Sequence, residues 1–269
     1  MLAEIQKILD DLAGAAVNLT NARGAGRAFE LLLMTKIAIE LQRRGYTISL
    51  LQSDGAIQLP GSPNITFVQR GGAPTGIGAA SLGANGPTSI LFQKANHLPE
   101  WEIWNGIQFV GRSGGTHEFD LSVVPKALGD ALRVTGGRPF GHGWISIECK
   151  DVTAPGSLDE MRAFLARVYD TTFLEWHAPY LGASSGLKRI HPLSPTAPGF
   201  GSVSKTYRSE NTTVYHGLAR RTGFSRGTSP MSDYYFIRRF EELAVGSVNL
   251  TSFSREVADW IDHELPSVL

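Results

Sequence analysis

The sequence predicts an α/β fold, and three observations support this. Residues 28–44 repeat apolar side chains at the 3.6-residue period of a helix. Residues 116–124 and 143–150 alternate apolar and polar side chains, which is typical of strands. Residues 158–169 then return to a helical pattern. Because no linker separates these segments, we expect all 269 residues to form one domain.

The ends of the predicted helices carry local signals. Gly45 follows the helix at residues 28–44, where a glycine suits the C-cap. Ser157 is suited to the N-cap of the helix at residues 158–169, with Glu160 as its capping-box partner. The remaining predicted helices cover residues 2–12 and 253–265, and shorter strands cover residues 46–51, 64–69, 89–94, 104–111 and 213–219.

Two segments lack any period and are interpreted as loops. Residues 71–88 are rich in Gly, Ala and Pro, and residues 179–201 are punctuated by Pro and Gly. The first of these loops, together with the segment from residue 173 to residue 269, leaves room for a sensing role beside the predicted core.

The composition describes an ordinary globular protein. It is 42% hydrophobic and 19% charged, and no apolar run reaches the roughly 18 to 20 residues that span a bilayer. The single cysteine, Cys149, excludes an internal disulfide framework and a cysteine-based zinc cluster. We therefore expect a cytoplasmic protein that makes no contact with a membrane.

Positive charge is concentrated in the last third of the chain. The net charge of the whole protein is zero, yet residues 187–240 hold nine Lys and Arg against two acidic residues, a net charge of +7. Such a segment could face the phosphates of a nucleic acid. A set of solvated arginines would look the same, and both interpretations stay open.

The segment from residue 143 to residue 150 predicts a strand with one apolar face and one face that carries charged side chains. Its alternation places Ile145, Ile147 and Cys149 on one apolar face. Glu148 and Lys150 then lie side by side on the opposite face, at the end of the strand.

A second predicted strand supplies another carboxylate. Residues 116–124 place Phe119, Leu121 and Val123 on one face, and Asp120 on the other. If this strand pairs in one sheet with residues 143–150, Asp120 and Glu148 converge on a single point.

Paired carboxylates beside a lysine suit phosphodiester hydrolysis. Mg²⁺ prefers oxygen ligands and is often held by one or two carboxylates together with water and substrate phosphate. Such an ion polarises a phosphodiester and activates water. Lys150 would orient or deprotonate that water and stabilise charge on the phosphorus.

Asp120, followed after a connection by Glu148-Cys149-Lys150, resembles the PD-(D/E)XK signature of restriction enzymes, junction resolvases and repair nucleases. Phe119 stands where the signature has proline. The resemblance implies a restriction-endonuclease-like core over residues 25–170, with a mixed central sheet flanked by helices. Residues 171–269 would form a basic C-terminal elaboration.

The resemblance also implies a role for each site residue. Asp120 and Glu148 would bind Mg²⁺, which Mn²⁺ can replace, and the main-chain carbonyl of Cys149 would be a further ligand. Lys150 would serve the attacking water. Glu30, on the helix ahead of the sheet, matches the position of an additional catalytic acid.

Double-stranded DNA is the implied partner, and a homodimer would let two sites reach two strands. The candidate nucleic-acid contacts are all arginines: Arg27, Arg162, Arg167, Arg220, Arg221 and Arg226.

Two alternatives remain open. The chain could be a catalytically silent, nuclease-fold module that binds nucleic acid or protein. It could also be a defence effector whose nuclease is gated by a ligand or partner. The intact set of Asp120, Glu148 and Lys150 argues against the first alternative, because a silent site would usually have lost one of them.

Overall fold

A computed structural model of the chain describes residues 1–20, 22, 24, 26–69, 88–94, 100–111, 113–135, 138–139, 141–172 and 214–265. The loops predicted at residues 71–88 and 179–201 lie outside this part, apart from Thr88. Among the helices of the described ranges, none is long and apolar enough to cross a membrane.

A mixed sheet of seven strands forms the centre of the described structure. In spatial order its strands are β2 (Tyr46–Leu51), β4 (Ser89–Lys94), β5 (Trp101–Val110), β6 (Thr116–Pro125), β7 (Ile145–Lys150), β8 (Tyr215–Arg220) and β9 (Ile237–Phe240). Neighbours from β2 to β7 pair antiparallel, whereas β7, β8 and β9 run parallel. Two further strands, β1 (Val17–Thr20) and β3 (Ile65–Val68), form a separate parallel pair.

Helices cover both faces of the sheet, as the sequence predicted. The described helices are α1 (Leu2–Ala13), α2 (Arg27–Arg43), α3 (Lys126–Thr135), α4 (Leu158–Thr172), α5 (Ser229–Tyr234) and α6 (Val248–Glu264). Helices α1, α2 and α6 share one hydrophobic core with the first face, and α4 packs into a second core on the other face.

Helix α2 is more deeply enclosed than its sequence predicted. The periodicity indicated one apolar stripe, but the buried residues surround most of the helix: Phe29, Leu31, Leu32, Leu33, Met34, Thr35, Ile37, Ala38, Glu40 and Leu41. The reason is its position, because α2 lies between the sheet and the helices α1 and α6. This helix carries Glu30 at its first turn.

In the described part of the chain, the sequence analysis missed β1, α3, α5, β9 and a 3-10 helix at Arg226–Thr228. The observed β5 also begins three residues before its predicted start, and α6 begins five residues earlier. Helix α3 contains Gly129, which weakens a helical signal. The glycine is required there because a Cβ at this position would lie 2.8 Å from Oε1 of Glu102.

Helix α4 begins as predicted and extends three residues further, to Thr172. Ser157 caps it, since the Glu160 amide donates to Ser157 Oγ at 3.1 Å. The carboxylate of Glu160 has a different partner from the one predicted: it binds the guanidinium of Arg220.

The last turn of α4 is fastened to the turn between β5 and β6. Asp170 accepts hydrogen bonds from Ser113 Oγ at 2.6 Å and from the Ser113 amide at 3.0 Å, and its Oδ2 lies 2.6 Å from His117 Nε2. Asp170 also approaches Gly111 so closely that a Cβ there would lie 2.0 Å from Oδ2. His117 therefore has a structural partner in Asp170.

We expect Gly111→Ala to destabilise the protein by about 2 kcal/mol or more, because the added methyl group would displace Asp170 from the turn. Urea unfolding followed by circular dichroism measures this loss. Gly227→Ala is the matched control, since a Cβ there meets nothing within 4 Å. Equal stability of the two variants would show that the turn and α4 are not tightly joined.

Candidate active site

The candidate site lies where β6 and β7 stop pairing. Their ladder ends at the pair Leu121–Ile147. Just beyond it, Asp120 Oδ2 accepts a hydrogen bond from the main-chain amide of Cys149 at 2.7 Å. The side chain of Asp120 thus takes the place of a main-chain partner and is held against β7.

Glu148 lies on β7 at the same point, and its side chain is only 4% exposed. Lys150 Nζ donates to Oε1 of this carboxylate. Arg167, from α4, donates to Oε2 at 2.8 Å and to the main-chain oxygen of Glu118 at 3.1 Å. Arg167 therefore ties α4 to both strands, and two cations neutralise Glu148.

Glu30 reaches the site from the opposite face of the sheet. Its Oε2 accepts hydrogen bonds from Asn105 Nδ2 at 2.8 Å and from Gln69 Nε2 at 3.1 Å. Asn105 Nδ2 also donates to the main-chain oxygen of Asp120 at 3.0 Å. Glu30, Asp120, Glu148 and Lys150 thus lie near one another at this end of the sheet.

The predicted alternation of β6 holds only in part. Leu121 and Val123 pack into the core shared with α2, but Phe119 packs against Phe164 of α4 on the other face. The prediction that all three share one face is therefore wrong. This change of face coincides with Gly106 of β5, which has a φ of +67°. Gly106 lies between the pairs Asn105–Leu121 and Ile107–Phe119.

Three acidic side chains influence one another at this point. Burial, with Glu148 and Glu30 nearby, raises the pKa of Asp120 to about 8, although the Cys149 amide and Lys150 act in the opposite direction. Burial also raises the pKa of Glu30 above its ordinary value, and the hydrogen bonds from Asn105 and Gln69 offset only part of this effect.

The lysine of the site is held in its charged form. Burial alone would lower the pKa of Lys150, but the attraction and hydrogen bond of Glu148, together with Asp120, outweigh burial and raise it. A protonated Lys150 is a hydrogen-bond donor and a positive charge. This favours stabilisation of negative charge over removal of a proton.

The pKa of Asp120 predicts a pH-dependent stability. The folded protein keeps this proton up to about pH 8, whereas the unfolded chain loses it near the ordinary value of 3.8. Between these values the folded state binds more protons, so stability falls as pH rises. We expect Asp120→Asn to gain stability relative to the wild type on going from pH 5 to pH 9, by more than about 1 kcal/mol.

Urea midpoints at the two pH values, measured in EDTA, test this expectation. Asp151→Asn is the control, because Asp151 pairs with Arg221 outside the carboxylate group. A stabilisation by Asp120→Asn that is the same at both pH values would contradict the assigned ionisation.

The donor set fits a hard divalent cation. Asp120, Glu148 and the Cys149 carbonyl all offer oxygen, and mutual repulsion among the acids would be relieved by positive charge. In the described part of the chain, no three His, Cys, Asp or Glu side chains are gathered closely enough to form a complete metal site. Both oxygens of Glu148 are instead bonded to Lys150 and Arg167.

The predicted nucleic-acid contacts differ in position. Arg27, Arg162, Arg221 and Arg226 are exposed. Arg221 follows β8, and its amide donates to the Lys150 main-chain oxygen, so it adjoins the site. Arg167 lies within the site and is bonded to Glu148.

Arg220 does not fit the predicted role and is corrected. It is 1% exposed, and its guanidinium bonds to Glu160 and to the Ala154 carbonyl, above the ring of Phe224. A buried guanidinium with these partners fastens α4 to β8 and cannot reach a phosphate.

Sequence reasoning missed Asn105 and Gln69. Each is a single polar residue at a strand or beside one, with no motif around it. The usable signal was weak: Asn105 interrupts the apolar face that Trp101 and Ile103 begin on β5. A buried amide in such a row needs a hydrogen-bonding partner, and Glu30 is that partner.

Comparisons of the chain with protein-family models, with curated proteins and with solved structures gave no significant match.

Proposed function

We propose that this protein is a Mg²⁺-dependent nuclease with a restriction-endonuclease-like core, acting on DNA. The observation that carries the proposal is the meeting of Asp120, Glu148 and Lys150 where β6 and β7 part, with Glu30 approaching from α2. The resemblance of these residues to the PD-(D/E)XK signature supports the same conclusion.

Each side chain has a distinct task in this proposal. Asp120 and Glu148, with the Cys149 carbonyl, would hold Mg²⁺ or Mn²⁺, which polarises the phosphodiester and lowers the pKa of bound water. Lys150, held protonated by its neighbours, would donate to the attacking water and to the oxygens that gain charge. Arg167 keeps Glu148 at the site through Oε2.

DNA is the proposed substrate because exposed positive charge adjoins this end of the sheet. Lys150 and Arg221 follow one another across the ends of β7 and β8, and Arg226 is exposed in the turn beyond them. Arginines at such positions suit contacts to backbone phosphates, which position a duplex without reading its sequence.

Cleavage of supercoiled plasmid tests the proposal. We expect nicking or linearisation with Mg²⁺ or Mn²⁺ and none in EDTA. An equimolar single-stranded RNA, assayed in parallel, distinguishes the two nucleic acids, and we expect the plasmid to be cut faster.

Two other outcomes would identify the alternatives. DNA binding without cleavage in either metal would favour a binding module. Cleavage that requires an added cell extract, depleted of its own nucleases by heating, would favour a nuclease gated by a small ligand. Retention of full activity in EDTA would exclude the assigned metal chemistry.

A further inference from the structure

Two buried amide side chains lie behind the candidate site. Asn105 Nδ2 donates to Glu30 Oε2 and to the main-chain oxygen of Asp120, at 2.8 and 3.0 Å. Gln69 Nε2 donates to the same Glu30 oxygen and to Asn105 Oδ1, both at 3.1 Å. Each amide nitrogen carries two protons, so all four donors are used.

We propose that Asn105, supported by Gln69, is a positioning residue of the candidate metal site, fixing the Glu30 carboxylate and the β6 main chain at Asp120 in one arrangement that receives a divalent cation. This inference rests on the proposed function and adds to it. The amides themselves would touch neither cation nor substrate.

Burial makes the arrangement rigid. Gln69 is 1% exposed and Asn105 is 4% exposed, so water does not compete for their hydrogen bonds. Hydrogen bonds from buried donors to a carboxylate are stronger than those at a surface. The position of Glu30 is therefore determined by two side chains and not by its own rotamer preference.

The two amides bond to only one of the two carboxylate oxygens of Glu30. Both donate to Oε2, and neither donates to Oε1. Oε1 lies on the side of Gly26, where a Cβ would be 3.6 Å away. The two amides thus hold Glu30 by one oxygen of its carboxylate.

The separate strand pair explains how Gln69 reaches this position. Gln69 follows β3 directly, and its main-chain amide donates to the Thr20 carbonyl at the end of β1, at 3.2 Å. Both strands therefore end at the site, one delivering Gln69 and the other leading towards α2 and Glu30. In this interpretation, the β1–β3 pair forms one side of the site and positions Gln69 there.

Binding of Mn²⁺, measured by isothermal titration calorimetry, tests the inference without relying on turnover. We expect Asn105→Ala to weaken Mn²⁺ binding by about tenfold, the usual effect of losing an outer partner of a metal ligand. In a Glu30→Gln background the same substitution should change binding by less than about threefold, because the two residues act through one another.

Two further variants separate positioning from general damage to the fold. Gln69→Met keeps the shape of the side chain and removes its donors, and it should weaken Mn²⁺ binding in the same direction as Asn105→Ala. Gln58→Met is the matched control, because Gln58 is a buried amide bonded to Leu51 and Thr66 beside the same strand. It should leave Mn²⁺ affinity unchanged.

The outcomes distinguish this inference from the proposed function. Wild-type protein that binds Mn²⁺, with Asn105→Ala binding equally well, would overturn the positioning role alone. An equal loss in the wild-type and Glu30→Gln backgrounds would also overturn it, since Asn105 would then act independently of Glu30. Wild-type protein that binds no Mn²⁺ would overturn the proposed function and, with it, this inference.

Discussion

If the proposed function holds, we expect Lys150→Met to lower the single-turnover rate of DNA cleavage by about 10³-fold, the usual cost of removing a group that stabilises developing charge. The side chain is 35% exposed and lies at the end of β7, so its loss leaves no cavity in the core. Glu148 keeps its bond from Arg167. We therefore expect the variant to fold normally and to lose chemistry specifically.

The measurement combines single-turnover cleavage in Mg²⁺ with DNA affinity in Ca²⁺, which separates the chemical step from binding. DNA affinity should change by less than about tenfold, the scale of one lost phosphate contact. Lys126→Met is the control, since Lys126 forms a surface ion pair with Asp130 on α3. Cleavage by Lys150→Met within threefold of the wild type would exclude Lys150 from the reaction.

The largest effect on stability is expected at a buried ion pair between β5 and α3. Arg133 Nη2 lies 2.5 Å from Glu102 Oε2, and the two side chains are 3% and 0% exposed. Ser89 Oγ donates to Glu102 at 2.8 Å, and the guanidinium lies over the ring of Trp104. Arg133→Met would leave a carboxylate in the core without its cation, at a cost of about 3–5 kcal/mol.

Urea unfolding measures this cost, and a double variant tests its cause. Glu102→Leu together with Arg133→Met removes both charges and should recover most of the lost stability, because a hydrophobic pair can replace a buried ion pair. Arg162→Met, which breaks the exposed pair with Asp159, should change stability by less than about 1 kcal/mol. Failure of the double variant to recover would show that the charges are not the source of the loss.

Local periodicity was sufficient to predict the main elements and part of the candidate site. The alternation around Glu148 and Lys150 depends only on neighbours along one strand, and the structure preserves it. Asp120 could be placed beside them once pairing in one sheet was assumed. Glu30 was implied by the resemblance to the nuclease signature.

The remaining parts depend on contacts between distant residues. Arg220 belongs to a basic run in the sequence, but its guanidinium is buried against Glu160 and Ala154, which are 60 and 66 positions away. Asn105 meets Glu30 across 75 positions. The face change at Phe119 coincides with Gly106 in the neighbouring strand. No pattern along a single segment contains this information.

The enclosure of α2 has a consequence for motion within the folded protein. Amide protons of a helix surrounded by packed layers exchange with solvent only when much of the structure opens, whereas those at sheet edges exchange through local fluctuations. We therefore expect α2 to belong to the slowest-exchanging unit of the chain. Glu30, at its first turn, would keep its place while the outer strands β2 and β9 open and close, so local opening at the sheet edges would leave the candidate site intact.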